Sequence, residues 1–156
     1  MWGVPLPDPL RVQRALMACL EMRGELALLN QLRVGRGLSP LQVGMGVNDG
    51  EVIAGNIGSS QRMEFTIIGN TVNIASRIEA LTKKYETDLL VAETVMNQTR
   101  DRFLFTHREV TPIRGLSQEM AIYRVAGVVN SGGRQILVPE FKGASRVVPP
   151  PFKKRA

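Results

Sequence analysis

The sequence is poor in the residues that most often carry metal or redox chemistry, since its 156 residues include one cysteine and one histidine. The lone Cys19 cannot form a disulfide within the chain. It lies among apolar residues in a helical pattern, which predicts a buried, unreactive thiol. His107 has no cysteine or second histidine near it, and this argues against a metal role for it.

Long apolar stretches are also missing. The chain has no run of 18 or more apolar residues, which argues against a membrane-spanning helix. The opening MWGVPLPDP has neither the basic start nor the apolar run of a signal peptide. We therefore expect a cytoplasmic protein, and the 44% apolar content is enough to form one core.

The net charge of +6 is concentrated near the C-terminus, in a segment rich in Gly and Pro. From residue 126 onward the only acidic residue is Glu140, against Arg134, Lys142, Arg146, Lys153, Lys154 and Arg155. This composition predicts a flexible basic tail over 126–156, following one domain over 1–125. A contact with nucleic acid or an acidic membrane is the alternative, and the scarcity of aromatic residues, 5% of the chain, disfavours specific nucleic-acid binding.

Hydrophobic periodicity predicts three helices. Asp8 and Pro9 are suited to the start of the first helix, which is expected to end before Gly35. Apolar residues at three- and four-residue steps predict a second helix over 70–85, and a third is expected over 93–102.

The remaining apolar segments predict strands. An Asp-Gly pair between two β-prone runs predicts a hairpin over 41–57, and further strands are expected at 64–68, 89–92, 103–110 and 121–125. Strands mixed with helices indicate an α+β fold, in which helices pack on one face of a mostly antiparallel sheet.

The second helix carries two polar residues that could act on a ligand. Asn73 and Arg77 are four residues apart and share a face other than the apolar one. Arg provides planar, permanently charged donors for phosphate, Asn can orient a hydroxyl, and the helix N-terminus adds positive potential. Spacing by itself favours an ordinary alternative, in which Arg77 pairs with Glu64 or Glu79 at the surface and Asn73 is solvated.

Two segments favour the ligand-binding role of Asn73 and Arg77 over the ordinary alternative. They are 43–58, VGMGVNDGEVIAGNIG, and 62–79, RMEFTIIGNTVNIASRIE. Together they resemble the signature of class III adenylate and guanylate cyclase catalytic domains. The similarity extends from the opening WGVP to the IRG turn at 113–115 and the IYRV strand at 122–125. Only the tail lies outside it. The resemblance implies a partial ferredoxin-like cyclase fold.

The resemblance also implies roles for matched positions. Asn73 is similar to the asparagine that orients the ribose, and Arg77 to the arginine that stabilises charge on the phosphates. Thr66 occupies the base-recognising position, where a hydroxyl favours ATP over GTP. Arg114 falls where many members have a lysine near the phosphates. The implied reaction converts ATP to 3′,5′-cyclic AMP and diphosphate, with Mg²⁺ or Mn²⁺, in a head-to-tail dimer.

The sequence departs from the family in one respect. In complete domains, an upstream segment carries two metal-binding aspartates, and Asp8, Asp49 and Asp88 do not occupy those positions. We therefore predict that this chain alone is inactive and exposes unpaired strand edges and apolar surface. Met63 and Phe65 are expected in the core or a dimer interface. The alternative function is a non-catalytic partner or regulator that pairs with a full-length cyclase.

Overall fold

The computed structural model describes residues 1–59, 62–113, 118–130 and 132–140. The elements in chain order are α1 (Arg11–Gly35), β1 (Met45–Val47), β2 (Ile53–Ser59), β3 (Arg62–Ile68), α2 (Asn70–Lys84), β4 (Leu89–Ala92), α3 (Glu93–Thr99), β5 (Phe103–Pro112), β6 (Glu119–Val129) and β7 (Gln135–Leu137). The mixed α+β class with mostly antiparallel pairing is confirmed. In the described part of the chain, no helix combines the length and apolar character needed to cross a bilayer.

The first helix begins at Arg11 with Leu10 as its N-cap residue, so it starts slightly later than the sequence predicted from Asp8 and Pro9. The Asp8 carboxylate accepts a hydrogen bond from the backbone N–H of Leu10 at 2.9 Å. It also lies 3.3 Å from the guanidinium of Arg14. The buried face of α1 includes Leu16, Cys19 and Leu20, and it packs against the sheet. The apolar residues at three- and four-residue steps in the first half of this segment account for its packing as a helix on the sheet.

The main sheet has the order β1-β4-β6-β5, with β7 added to β6. β1 pairs with β4 in parallel, and the other pairs in this sheet are antiparallel. All four residues of β4 are buried. Leu89 and Val91 belong to the core cluster that contains α1, whereas Leu90 and Ala92 belong to the cluster that contains α2.

That alternation corrects one detail of the predicted fold. Successive side chains of a strand point to opposite faces, so α1 and α2 cover opposite faces of the sheet rather than one. The continuous apolar run of β4, Leu89–Ala92, is the local sign of a strand buried on both sides.

The hairpin predicted over 41–57 is wrong. β1 pairs with β4, and β2 instead forms a separate two-stranded antiparallel sheet with β3. The Asp-Gly segment therefore connects two sheets. β1 packs closely against α2, since a Cβ added at Gly46 would lie 2.4 Å from the backbone oxygen of Ala75.

The late strands agree with the prediction, because β5 and β6 form a long antiparallel pair. The sheet also continues past residue 125, since β6 runs to Val129 and β7 pairs with it. Segment 126–140 of the predicted tail thus includes described strand structure. The rest of that tail, 141–156, lies outside the described residues.

At the other end of the main sheet, β1 lies at the edge. A cavity of about 620 Å³ lies beside it, lined by side chains from α1, β1 and α2 that include Cys19, Met22, Met45 and Val72. Both helix layers thus flank open space next to an edge strand.

Candidate active site

The candidate site lies where β3 leads into α2. The backbone oxygen of Gly69 accepts hydrogen bonds from the N–H groups of Val72 at 3.2 Å and Asn73 at 3.4 Å, which begin the helix. Ile74 and Ile78 are buried against the sheet and hold the helix in place. The polar face of α2 is therefore presented away from the core.

The structure places Asn73 and Arg77 one turn apart on α2, with Asn73 exposed and Arg77 half-buried. Thr66 lies on a different element, β3, where it is exposed and is opposite Gly55 of β2. The helix thus brings Asn73 and Arg77 onto one surface, and Thr66 belongs to the two-stranded sheet that precedes it. Arg114 lies outside the described residues.

A second polar group next to α2 was missed by the sequence analysis. Both carboxylate oxygens of Asp49 accept hydrogen bonds from Arg11, through Nε and Nη2, each at 2.9 Å. Gln98 Nε2 donates to Asp49 at 2.8 Å. The sequence places Asp49 in a turn and outside the metal-binding positions of the family, and no local signal links it to an arginine 38 positions earlier.

These contacts shift the pKa values of both Arg11 and Asp49. Burial of Asp49 acts to raise the pKa of its carboxyl, but hydrogen bonds from Arg11 and Gln98 and the charge of Arg11 outweigh it, so the pKa is lowered. The pKa of Arg11 is raised, chiefly by its hydrogen bond to Asp49. Asp49 is therefore a carboxylate at neutral pH.

The loop that contains Asp49 also contacts the first turn of α2. Asn48 Nδ2 donates to the backbone oxygen of Thr71 at 3.1 Å. The Thr71 hydroxyl donates to the backbone oxygen of Glu51 at 2.8 Å. The loop between β1 and β2 thus connects α1 and α3 to the start of the helix that carries Asn73.

Metal-ligand chemistry requires several donors close together. Within residues 1–59, 62–113, 118–130 and 132–140, no group of three or more His, Cys, Asp or Glu side chains could hold a metal ion. The described residues thus provide no cluster of three such ligands for a divalent cation.

The fold and the Asn73–Arg77 pair define an α+β domain with a polar helix face suited to an anionic ligand. The profile of the adenylate and guanylate cyclase catalytic domain matches residues 3–127 of the chain. The chain therefore belongs to this family, and the resemblance inferred from the sequence is confirmed.

Adenylate cyclase 1 of Rhizobium meliloti (strain 1021) is 30% identical over 131 residues, which are 84% of this chain and 20% of that protein. An adenylate cyclase of Anabaena cylindrica is 34% identical over 118 residues, 71% of this chain and 24% of that protein. The chain thus spans about a quarter or less of the length of these relatives.

Solved cyclase structures share the fold. The guanylyl cyclase Cya2 superposes with a TM-score of 0.76 at 32% identity, over 87% of this chain and 68% of that chain. The adenylyl cyclase CyaB from P. aeruginosa gives a TM-score of 0.72 at 28% identity, over 80% of this chain and 64% of that chain.

Proposed function

We propose that this chain is an adenylate cyclase-type domain of cyclic-nucleotide signalling, located in the cytoplasm, whose reaction converts ATP to 3′,5′-cyclic AMP and diphosphate. The observation that carries the proposal is the position of Asn73 and Arg77, one turn apart on the polar face of α2 within the matched region.

In the proposed reaction the ribose 3′-oxygen attacks the α-phosphorus of ATP. The O3′–Pα bond forms, the bond from Pα to the bridging oxygen of the diphosphate breaks, and the hydroxyl proton is released. Negative charge accumulates on the phosphate oxygens and on the leaving diphosphate. A preorganised donor at such a position contributes about 3–4 kcal/mol to transition-state stabilisation.

Each candidate residue has a role suited to its chemistry. Arg77 donates to the phosphate oxygens as charge develops, and Asn73 holds the ribose so that its hydroxyl faces the phosphorus. Thr66 contacts the adenine edge and favours ATP over GTP. Arg114 adds a second cation near the phosphates.

The family reaction uses Mg²⁺ or Mn²⁺, which supplies activation of the hydroxyl and charge neutralisation when bound. Because Asp8, Asp49 and Asp88 do not occupy the metal-binding positions of the family, we propose that the metal ligands come from another polypeptide segment. The chain assayed alone is therefore expected to be inactive.

The β2–β3 hairpin supports pairing with a second domain, either another copy or a full-length cyclase. Ile53, Met63 and Phe65 are 74%, 58% and 53% exposed. The strand register places Ile53 on one face of the hairpin and Met63 and Phe65 on the other. An isolated two-stranded sheet with apolar residues exposed on both faces is suited to burial against a partner.

Calorimetric titration of the full chain with ATP and with GTP tests the substrate assignment. We expect tighter binding of ATP, and a loss of about tenfold or more in Arg77→Ala, since hydrogen bonds to charged groups contribute about 1.5–3 kcal/mol. Lys83→Ala, which removes an exposed cation in the last turn of the same helix, is the control and should bind like the wild type. Equal binding by Arg77→Ala and wild type would contradict the assignment.

The exposed hairpin also supports the second candidate function, a non-catalytic partner or regulator of a full-length cyclase. Co-purification with an intact class III cyclase tests this association. If the chain contributes its site to the complex, Arg77→Ala in the chain lowers the activity of the mixture. If the activity is unchanged, the chain does not contribute Arg77 to catalysis, and its association with the cyclase is regulatory only.

A further inference from the structure

We infer that Arg11 is a positioning residue for α2: acting through Asp49 and the loop over 48–51, it holds the first turn of the helix that carries Asn73. The catalytic consequence rests on the proposed function. The structural part, that Arg11 controls the order of this turn, stands on the contacts alone.

The first link is a bidentate ion pair between α1 and the 48–51 loop. Arg11 Nε and Nη2 each donate to a different carboxylate oxygen of Asp49 at 2.9 Å. Gln98 of α3 donates to the same carboxylate at 2.8 Å. A bidentate pair restricts orientation as well as distance, and the Asp49 side chain is only 17% exposed. The loop is therefore anchored to α1 and α3 at this point.

The second link joins the residues on either side of Asp49 to Thr71. Asn48 donates to the backbone oxygen of Thr71 at 3.1 Å, and the Thr71 hydroxyl donates to the backbone oxygen of Glu51 at 2.8 Å. Between them, a Cβ added at Gly50 would lie 2.8 Å from the Thr71 hydroxyl oxygen. The loop and the first turn of α2 are in contact along this length.

The third observation concerns the start of α2 itself. The helix has Gly69 at its N-cap position and no side-chain capping hydrogen bond, so a usual local stabiliser of the first turn is missing. The bond from the Asn73 N–H to Gly69 is long, at 3.4 Å. Contacts from the 48–51 loop to Thr71 therefore hold this turn from outside, two residues before Asn73.

The alternative is that the Arg11–Asp49 pair is an ordinary ion pair at the protein surface with no effect beyond its own loop. The two interpretations differ in which part of the backbone becomes less ordered when Arg11 is replaced. A surface pair affects the loop alone, whereas a positioning residue affects the backbone of α2 at 70–74.

Hydrogen–deuterium exchange of the full chain without nucleotide separates them. We expect Arg11→Gln and Asp49→Asn to increase exchange about fivefold or more at 70–74, with little change in the rest of α2. Arg14→Gln is the matched control, because Arg14 lies one turn later on the same helix and pairs with Asp8 instead. Arg11→Lys keeps the charge without the fork and should restore protection only in part.

Unchanged exchange at 70–74 in both Arg11→Gln and Asp49→Asn would overturn the inference, as would an increase spread over the whole chain. The proposed function fails by a different result, namely ATP binding that is insensitive to Arg77→Ala. If ATP does bind, Arg11→Gln should weaken it about threefold, while Arg14→Gln leaves it unchanged.

Discussion

Arg23 of α1 and Asp88, the residue before β4, form an ion pair in the interior, with Nη2 and Oδ1 2.5 Å apart. Their side chains are 1% and 4% exposed. The second terminal nitrogen of Arg23 donates to the backbone oxygens of Val125 at 3.0 Å and Val138 at 2.9 Å. One guanidinium thus joins the first helix, the start of a central strand, β6 and the segment after β7.

Removal of this guanidinium should destabilise the fold strongly. We expect Arg23→Met to lower the free energy of unfolding by about 3–5 kcal/mol, because it breaks the interior ion pair with Asp88 by removing one partner. Urea denaturation followed by circular dichroism measures the change. Arg14→Met removes an arginine from an exposed pair and should cost less than about 1 kcal/mol. Similar losses in the two variants would contradict the expectation.

Close packing of β1 against α2 predicts an asymmetry between two glycines. A Cβ at Gly46 would lie 2.4 Å from the backbone oxygen of Ala75, whereas a Cβ at Gly55 would meet nothing within 4 Å. We expect Gly46→Ala to destabilise the protein by about 1–3 kcal/mol or more. Gly55→Ala should be nearly neutral. The thermal midpoints of the two variants, compared with wild type, provide the test.

The buried thiol should resist modification in the native protein. Burial raises the pKa of Cys19 to about 11, with Arg23 lowering it and Asp88 raising it by smaller amounts. At pH 8 only about one thiol in a thousand is then a thiolate, the reactive form. We expect a disulfide reagent such as DTNB to react about 100-fold or more slowly with native than with urea-unfolded protein. Equal rates would show that the thiol is accessible.

The Asp49 carboxylate predicts a loss of stability in acid. Its pKa is lowered on folding by Arg11 and Gln98 despite partial burial, so its contribution is fully present above its unfolded pKa of about 4. The contribution is lost as the pH falls through the lower pKa of the folded state. The stability difference between wild type and Asp49→Asn should therefore shrink below about pH 4. A difference that stays constant from pH 7 to pH 3 would contradict this.

The exposed hairpin predicts self-association. We expect sedimentation equilibrium to show concentration-dependent association of the wild type, and a double substitution, Met63→Ser with Phe65→Ser, to weaken it about tenfold. Val110→Ser, which changes an apolar residue 46% exposed on β5, is the control and should leave association unchanged. A wild type that is monomeric at all concentrations would exclude a homodimer formed through this surface.

Most helices and strands were predictable because their signals are local. The apolar face of α2 and the run Leu89–Ala92 of β4 each appear within one short segment. The predicted hairpin failed for the same reason. Asp49-Gly50 is a correct sign of a turn, but the partner of β1 is β4, more than forty positions along the chain, and no local signal specifies that pairing.

In the candidate site, too, the local features were predictable from the sequence and the long-range contacts were not. Asn73 and Arg77 were identified from a motif, and helical geometry alone places them on one surface. The anchoring of their helix through Arg11, Asp49 and Thr71 was not predicted. It depends on side chains from three separate elements that meet only after the chain has folded.

The sequence by itself determined the family, the α+β class, the helix that carries Asn73 and Arg77, and the burial of Cys19. Motifs and periodicity along single elements carry that information. Only the tertiary structure decided that helices cover both faces of the sheet, that β1 pairs with β4, and that Arg23 is buried with Asp88. These relationships join residues distant in sequence, and packing across the whole core selects them.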